Sequence, residues 1–202
     1  MVHEGLWAQL GGLDGSETAR RAGCQYLSDP ERYVLALLSS EYVINPPDRS
    51  IVEVKADSPK REAGFLEQLC LLAYLINAKD LPLAGKLVNG NALPGGQFFF
   101  RGVHGLPTQE LEEAFGDCPE ALLYTSARFG AEHCEFGDAS IRLRMLPRVP
   151  LTIVVWRRCE EFEARASILF DKSTGEQLPL DALLAAVNLT VKALTASNDG
   201  NG

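Results

Sequence analysis

Apolar positions along this chain recur every second residue in some segments and every third or fourth in others, so strands and helices are predicted in mixed order. Near the start, Asp14-Gly-Ser-Glu17 has capping-box spacing and Gly23 follows Arg20-Arg21-Ala22 as a terminator, which predicts a short helix between them. Residues 33–38, 42–44 and 51–54 are rich in β-branched and aromatic side chains and are separated by turn-forming residues, the pattern of an antiparallel meander. Over 60–78 the period lengthens. Phe65, Leu69, Leu72 and Ile76 form one stripe, and Leu66, Cys70, Leu71, Ala73 and Leu75 cover most of the remaining circumference. A helix apolar nearly all round is a buried one, so this is the expected central core helix, with Cys70 as a small packing residue.

Two shorter helices should follow, one over 109–115 capped by Thr108, the other opened by Asp117-Cys-Pro-Glu120 and running to Phe129. Runs 139–146, 151–158 and 164–170 read as three antiparallel strands, in which Ile141, Leu143 and Met145 alternate with Arg142 and Arg144. One face of that sheet packs and the other meets water or carries charge. Leu180, Leu183, Leu184, Val187, Val191 and Leu194 make a closing amphipathic helix. The order favours a single α+β domain over 1–194, an antiparallel sheet with packed helices, followed by a polar tail over 195–202 expected to be disordered.

Charge narrows the function classes. With 19 Lys and Arg against 27 Asp and Glu, the net charge of -8 repels phosphate backbones and anionic lipid, so neither nucleic acid nor a membrane is expected as a partner. No run approaches the ~18 to 20 apolar residues of a membrane span, and a cytoplasmic location is the expectation. Cys24, Cys70, Cys118, Cys134 and Cys159 are odd in number and scattered, which suits reduced thiols with neither disulfides nor a shared metal. There is no G-x-G-x-x-G, P-loop, H-E-x-x-H, G-x-S-x-G or C-x-x-C. His133 and Cys134 would point to opposite faces of a strand, so no metal site is expected there.

The stretch with the most chemistry is Leu93-Pro-Gly-Gly-Gln-Phe-Phe-Phe-Arg-Gly-Val-His-Gly-Leu-Pro107. Gly95 and Gly96 could let backbone approach a ligand, Phe99 and its neighbours could wall it, and Arg101 and His104 could supply an anion clamp and a proton or axial ligand. A plainer reading has a turn, one buried Phe-Phe-Phe strand, Arg101 paired with a structural acid and His104 capping the next helix. Glu160, Glu161 and Glu163 could hold a catalytic pair but fit a solvated edge better. Arg142, Arg144, Arg157, Arg158 and Arg165 should meet those acids across strands, with an anion-binding face as the alternative.

The segments LPGGQFFFRGVHGLPTQELEEAFGD, FGDASIRLRMLPRVPLTIVVW and ILFDKSTGEQLPLDALLAAVNLTV together resemble a bacterial and archaeal family known as domain of unknown function 3786, from about residue 7 to 194. The resemblance implies a family without an assigned activity, drawn largely from anaerobes. Some of its members carry an added cysteine-rich iron-sulfur segment, which this chain lacks. The family's tract after the tryptophan resembles G-D-E-E-F-P, whereas Arg158-Cys159-Glu160-Glu161-Phe162-Glu163 stands here. The resemblance carries over Gly95, Gly96, Arg101, His104, Asp138, Arg148, Trp156 and Asp171 as family-like features. With Phe99 these form the expected ligand-binding set. The expected function is an accessory domain of anaerobic metabolism that binds a small anionic or cofactor-like molecule. A corrinoid or haem would suit the loop, with His104 as axial ligand. The alternatives are an interaction module docking on a larger redox or one-carbon enzyme, and a hydrolase or lyase pairing His104 with Asp138 or Asp171.

Overall fold

The computed structural model describes residues 3–55 and 59–196. It opens on a helix that the glycine-rich start obscured, α1 (Glu4–Gly11), which buries Trp7 and Leu10. In α2 (Gly15–Ala22), the Asp14 carboxylate accepts the Glu17 amide at 2.7 Å and Gly23 ends the helix at φ 65°. The meander then forms with five strands: β1 (Gln25–Ser28), β2 (Glu31–Leu37), β3 (Ser40–Asn45), β4 (Ser50–Val54) and β5 (Arg61–Glu62), hydrogen-bonded in sequence order. Tyr33, Leu35, Leu37, Tyr42, Ile44 and Ile51 are its buried apolar residues, and Glu53 is buried with them. Between β2 and β3 the turn is only Leu38-Ser39, and Leu38 takes φ 54°, on the left-handed side that two-residue hairpin turns require. Its N–H donates to the carbonyl of Met145, 2.8 Å away.

Helix α3 (Phe65–Asn77) begins later than expected. Its burial is also less uniform. Residues from Cys70 through Leu75 are buried, but Phe65 and Leu66 are exposed and Leu69 is partly covered, because the first turn stands at the surface, where Phe65 meets the His3 ring. After β6 (Leu87–Asn89) come α4 (Gly96–Phe99) and a further helical turn at Gly102–His104, so Phe98 to Phe100 is not a strand. In α5 (Thr108–Phe115), Pro107 holds the cap position and Thr108 lies inside the helix without a side-chain capping bond. Asp117 does not cap α6 (Glu120–Ser126) either, because its carboxylate is engaged by Arg158 at 2.8 Å.

The second sheet comprises β7 (Glu132–Cys134), β8 (Ala139–Leu146), β9 (Val149–Trp156) and β10 (Arg165–Asp171), with β6 at its far edge, in the antiparallel order β6-β10-β9-β8-β7. Strand β9 starts two residues earlier than the sequence suggested. Pro150 reads as a breaker, yet it sits opposite Arg144 where the ladder slips, a place that tolerates a missing N–H. Finally α7 (Leu180–Thr195) packs on α3, with the Cys70 thiol 3.4 Å from the Ala182 carbonyl. The helix includes Thr195, and the rest of the expected tail, from 197, lies outside the described residues. The architecture is α+β with two sheets where one was expected, and one continuous apolar cluster draws residues from both sheets and from α1, α3, α5 and α7.

Candidate functional site

The 93–107 loop is built on itself. Gly96 is required because a Cβ there would stand 2.0 Å from the Gly90 carbonyl oxygen, so the close approach the glycines permit is to their own chain. Gly95 takes φ 75° at the start of α4. Phe100 stacks towards Phe170 at 6.4 Å, and Phe99 lies parallel to His104 at 4.8 Å. Arg101, His104, Phe98 and Val103 are exposed, with the Arg101 guanidinium 5.9 Å from the Phe98 ring centre. A haem or corrinoid on His104 would lie largely in water.

The remaining expected ligand-binding residues are held apart. Asp138 and Arg148 flank opposite ends of the eight-residue β8, roughly 25 Å apart at the rise of an extended strand. Asp138 accepts the Arg157 amide at 2.7 Å, and the adjoining Trp156, 37% exposed, lies under the Arg165 guanidinium. Arg148 is a clamp: it donates to the Arg21 carbonyl at 2.7 Å and to Asp80 at 2.5 Å, while its amide donates to the Tyr74 hydroxyl at 3.1 Å. Neither Asp138 nor Asp171 hydrogen-bonds His104. Of the sheet arginines, only Arg158 meets one of the expected acids, Glu163 at 3.1 Å; Arg157 pairs with Glu120 and Arg142 with Glu132.

Two concavities of about 520 Å³ each open on the surface, a size typical of small-molecule sites, and neither is lined by any residue of 93–107. The first is a groove on the outward face of the second sheet. Directly paired residues of antiparallel strands share a face, so Arg142 opposite Thr152 and Arg144 opposite Pro150 stand together. Asp171 builds a wall of this groove. Its carboxylate accepts the Ala84 and Gly85 amides at 2.9 and 2.8 Å, fixing the segment that carries Leu83 and Leu87, and also accepts the Ser173 amide and hydroxyl. Burial pushes this carboxyl up, and the four hydrogen bonds outweigh it and hold it below its ordinary value. Arg142 is engaged by Glu132 at 2.9 Å. Arg144 and the Thr152 hydroxyl have no hydrogen-bond or ion-pair partner among the described residues, and both line the groove.

The second concavity shares Leu38 and Phe129 with the first. Within it Glu53, only 5% exposed, accepts Ser40 at 2.6 Å, Lys55 at 2.9 Å and Arg61 at 2.7 Å. Arg61 also binds Glu67 at 2.7 Å, which in turn accepts the Tyr42 hydroxyl at 2.8 Å. Burial pushes the Glu53 carboxyl up, but Ser40, Lys55 and Arg61 overcome it and hold it at about 2. Burial likewise raises Glu67, and Arg61, the Gly64 amide and Tyr42 bring it below normal. Carboxylates locked in the ionised form make weak bases, so this network reads as a brace between the first sheet and α3.

Sequence reasoning named Arg144 only within an alternative anion-binding face of five arginines and missed Thr152, Leu83, Leu87 and Leu38, which line the same groove. The Arg142/Arg144 alternation was the available signal, and it marked a charged face without revealing which arginine lacks a partner. No curated protein and no solved structure matches the chain. A family model does match, that of the Domain of unknown function (DUF3786), over residues 14–193. The matched span begins at the cap of α2 and runs into the last turn of α7, taking in both sheets and the groove but leaving out α1, and on that match the chain belongs to this family.

Proposed function

We propose that the protein binds a small anionic molecule, and that the guanidinium receiving it is Arg144 in the sheet groove instead of Arg101 in the loop. The observation that carries this reading is Arg144 itself, a permanent cation without a partner among the described residues, lining a concavity beside an uncommitted hydroxyl. Arg101 is equally charged, but it stands on an exposed loop that lines neither concavity. A groove with partly apolar walls strengthens a single charge-assisted contact relative to open water.

Calorimetric titration of acetate and inorganic phosphate into the wild type, Arg144→Gln and Arg101→Gln tests the assignment. Heat of binding lost in Arg144→Gln and kept in Arg101→Gln is the expected result. The reverse pattern would return the site to the loop.

A further inference from the structure

We infer that the groove takes an amphipathic monocarboxylate, with its carboxylate on Arg144 and an apolar body of several carbons along Leu83 and Leu87. This rests on the anion-binding reading above and adds the ligand's charge number and its body. The charge number follows from what is already committed. Arg142 is paired with Glu132, and the Asp171 carboxylate, hydrogen-bonded by Ala84, Gly85 and Ser173, remains a negative charge in the groove wall. One unpaired guanidinium, Arg144, faces an incoming anion, and Asp171 in the same lining repels any second negative charge, so a phosphate dianion or a dicarboxylate is disfavoured against a monocarboxylate. Arg144 lies diagonal to Thr152 across the β8–β9 pair, a separation long side chains span, so the guanidinium fork and the hydroxyl can together serve two carboxylate oxygens.

The body follows from the walls. Leu83 is 48% exposed and Leu87 38% exposed, yet both line a concavity instead of packing into the core. Asp171 ties the backbone between them to the sheet through Ala84 and Gly85. Gly85 holds φ 67° with open space where a side chain would stand, which keeps the groove clear at that point. Leu38, fixed in its left-handed turn, and Phe129 add further apolar surface. Leucines whose neighbouring backbone is pinned beside accessible space lose contact with water when something apolar enters.

The test is calorimetry on the full chain with acetate, butyrate, hexanoate, octanoate and inorganic phosphate, using wild type, Arg144→Gln and Leu83→Ser. Both substitutions fall at exposed side chains, and circular dichroism verifies the fold. Affinity should rise by up to about fourfold per added methylene, the transfer value of ~0.8 kcal/mol. Arg144→Gln should weaken octanoate by about tenfold or more, as loss of a charge-assisted pair does. Leu83→Ser should flatten the chain-length series and leave acetate unchanged. If acetate and phosphate bind through Arg144 but longer chains gain nothing, the amphipathic ligand is overturned and the anion site stands. If no anion binds, or octanoate binds undiminished to Arg144→Gln, both readings fall.

Discussion

Replacing Glu53 with Gln isolates the ionic part of the brace between the first sheet and α3. The Glu53 carboxyl is held at about 2 in the folded chain against an ordinary 4.5, with three donors around it. At 1.36 kcal/mol per pH unit that difference is worth ~3 kcal/mol, and since Lys55 and Arg61 are 57% and 50% exposed, solvent screening brings the expected loss nearer ~2 kcal/mol. The carboxyl is depressed in the folded state, so its stabilisation is complete above the unfolded value of 4.5 and disappears as pH falls towards 2. Glutamine does not titrate. Urea unfolding, which leaves ion pairs unscreened, should show the variant less stable by about 2 kcal/mol at neutral pH, with the gap to wild type closing below about pH 4.5. Asp171 titrates in both proteins and cancels from the difference, whereas Glu67 shares Arg61 with Glu53 and adds to the change over the same acidic range. A gap of constant size down to pH 2.5 would refute the reasoning, because the loss would then come from packing and not from charge.

Tyr74→Phe removes a buried hydroxyl that donates to the Ala22 carbonyl at 2.8 Å and accepts the Arg148 amide at 3.1 Å; with two backbone groups stranded, a loss of about 2 to 4 kcal/mol is expected in denaturant unfolding. A value below about 0.5 kcal/mol would show that water replaces the hydroxyl. In the loop, Gly96→Ala should cost more than about 2 kcal/mol through its clash with Gly90, whereas Arg101→Ala and His104→Ala should each stay under about 1 kcal/mol because both side chains are exposed. Thermal unfolding of the three variants side by side checks the contrast, and equal shifts would sink it.

Where periodicity and punctuation acted over a few residues, the elements were readable: Asp14 and Gly23 around α2, the stripe of α7, and the alternation in β8. Reading failed where a distant segment decides. Strand β6 has only three residues and exists because it pairs with β10, some eighty positions away. Asp117 carries a capping signature but is claimed by Arg158, 41 residues on. The loop was singled out for its glycines, aromatics and cation, and local composition cannot tell backbone packing on itself from backbone open to a ligand. The groove is harder still, since β7 brings Glu132 to Arg142 and leaves Arg144 alone, and Asp171 draws in residues 84 and 85 from 86 to 87 positions away.

Hairpin tips are ordinarily where a chain accepts inserted sequence, since nothing beyond the two strands depends on them. The tip between β2 and β3 is an exception, because Leu38 hands its N–H to Met145 of the other sheet and its side chain borders both concavities. A tag or reporter spliced between Leu38 and Ser39 would break a backbone bond joining the two sheets and disturb both cavities at once. Engineering of this scaffold should therefore leave that tip intact and place its additions at sites that bridge nothing.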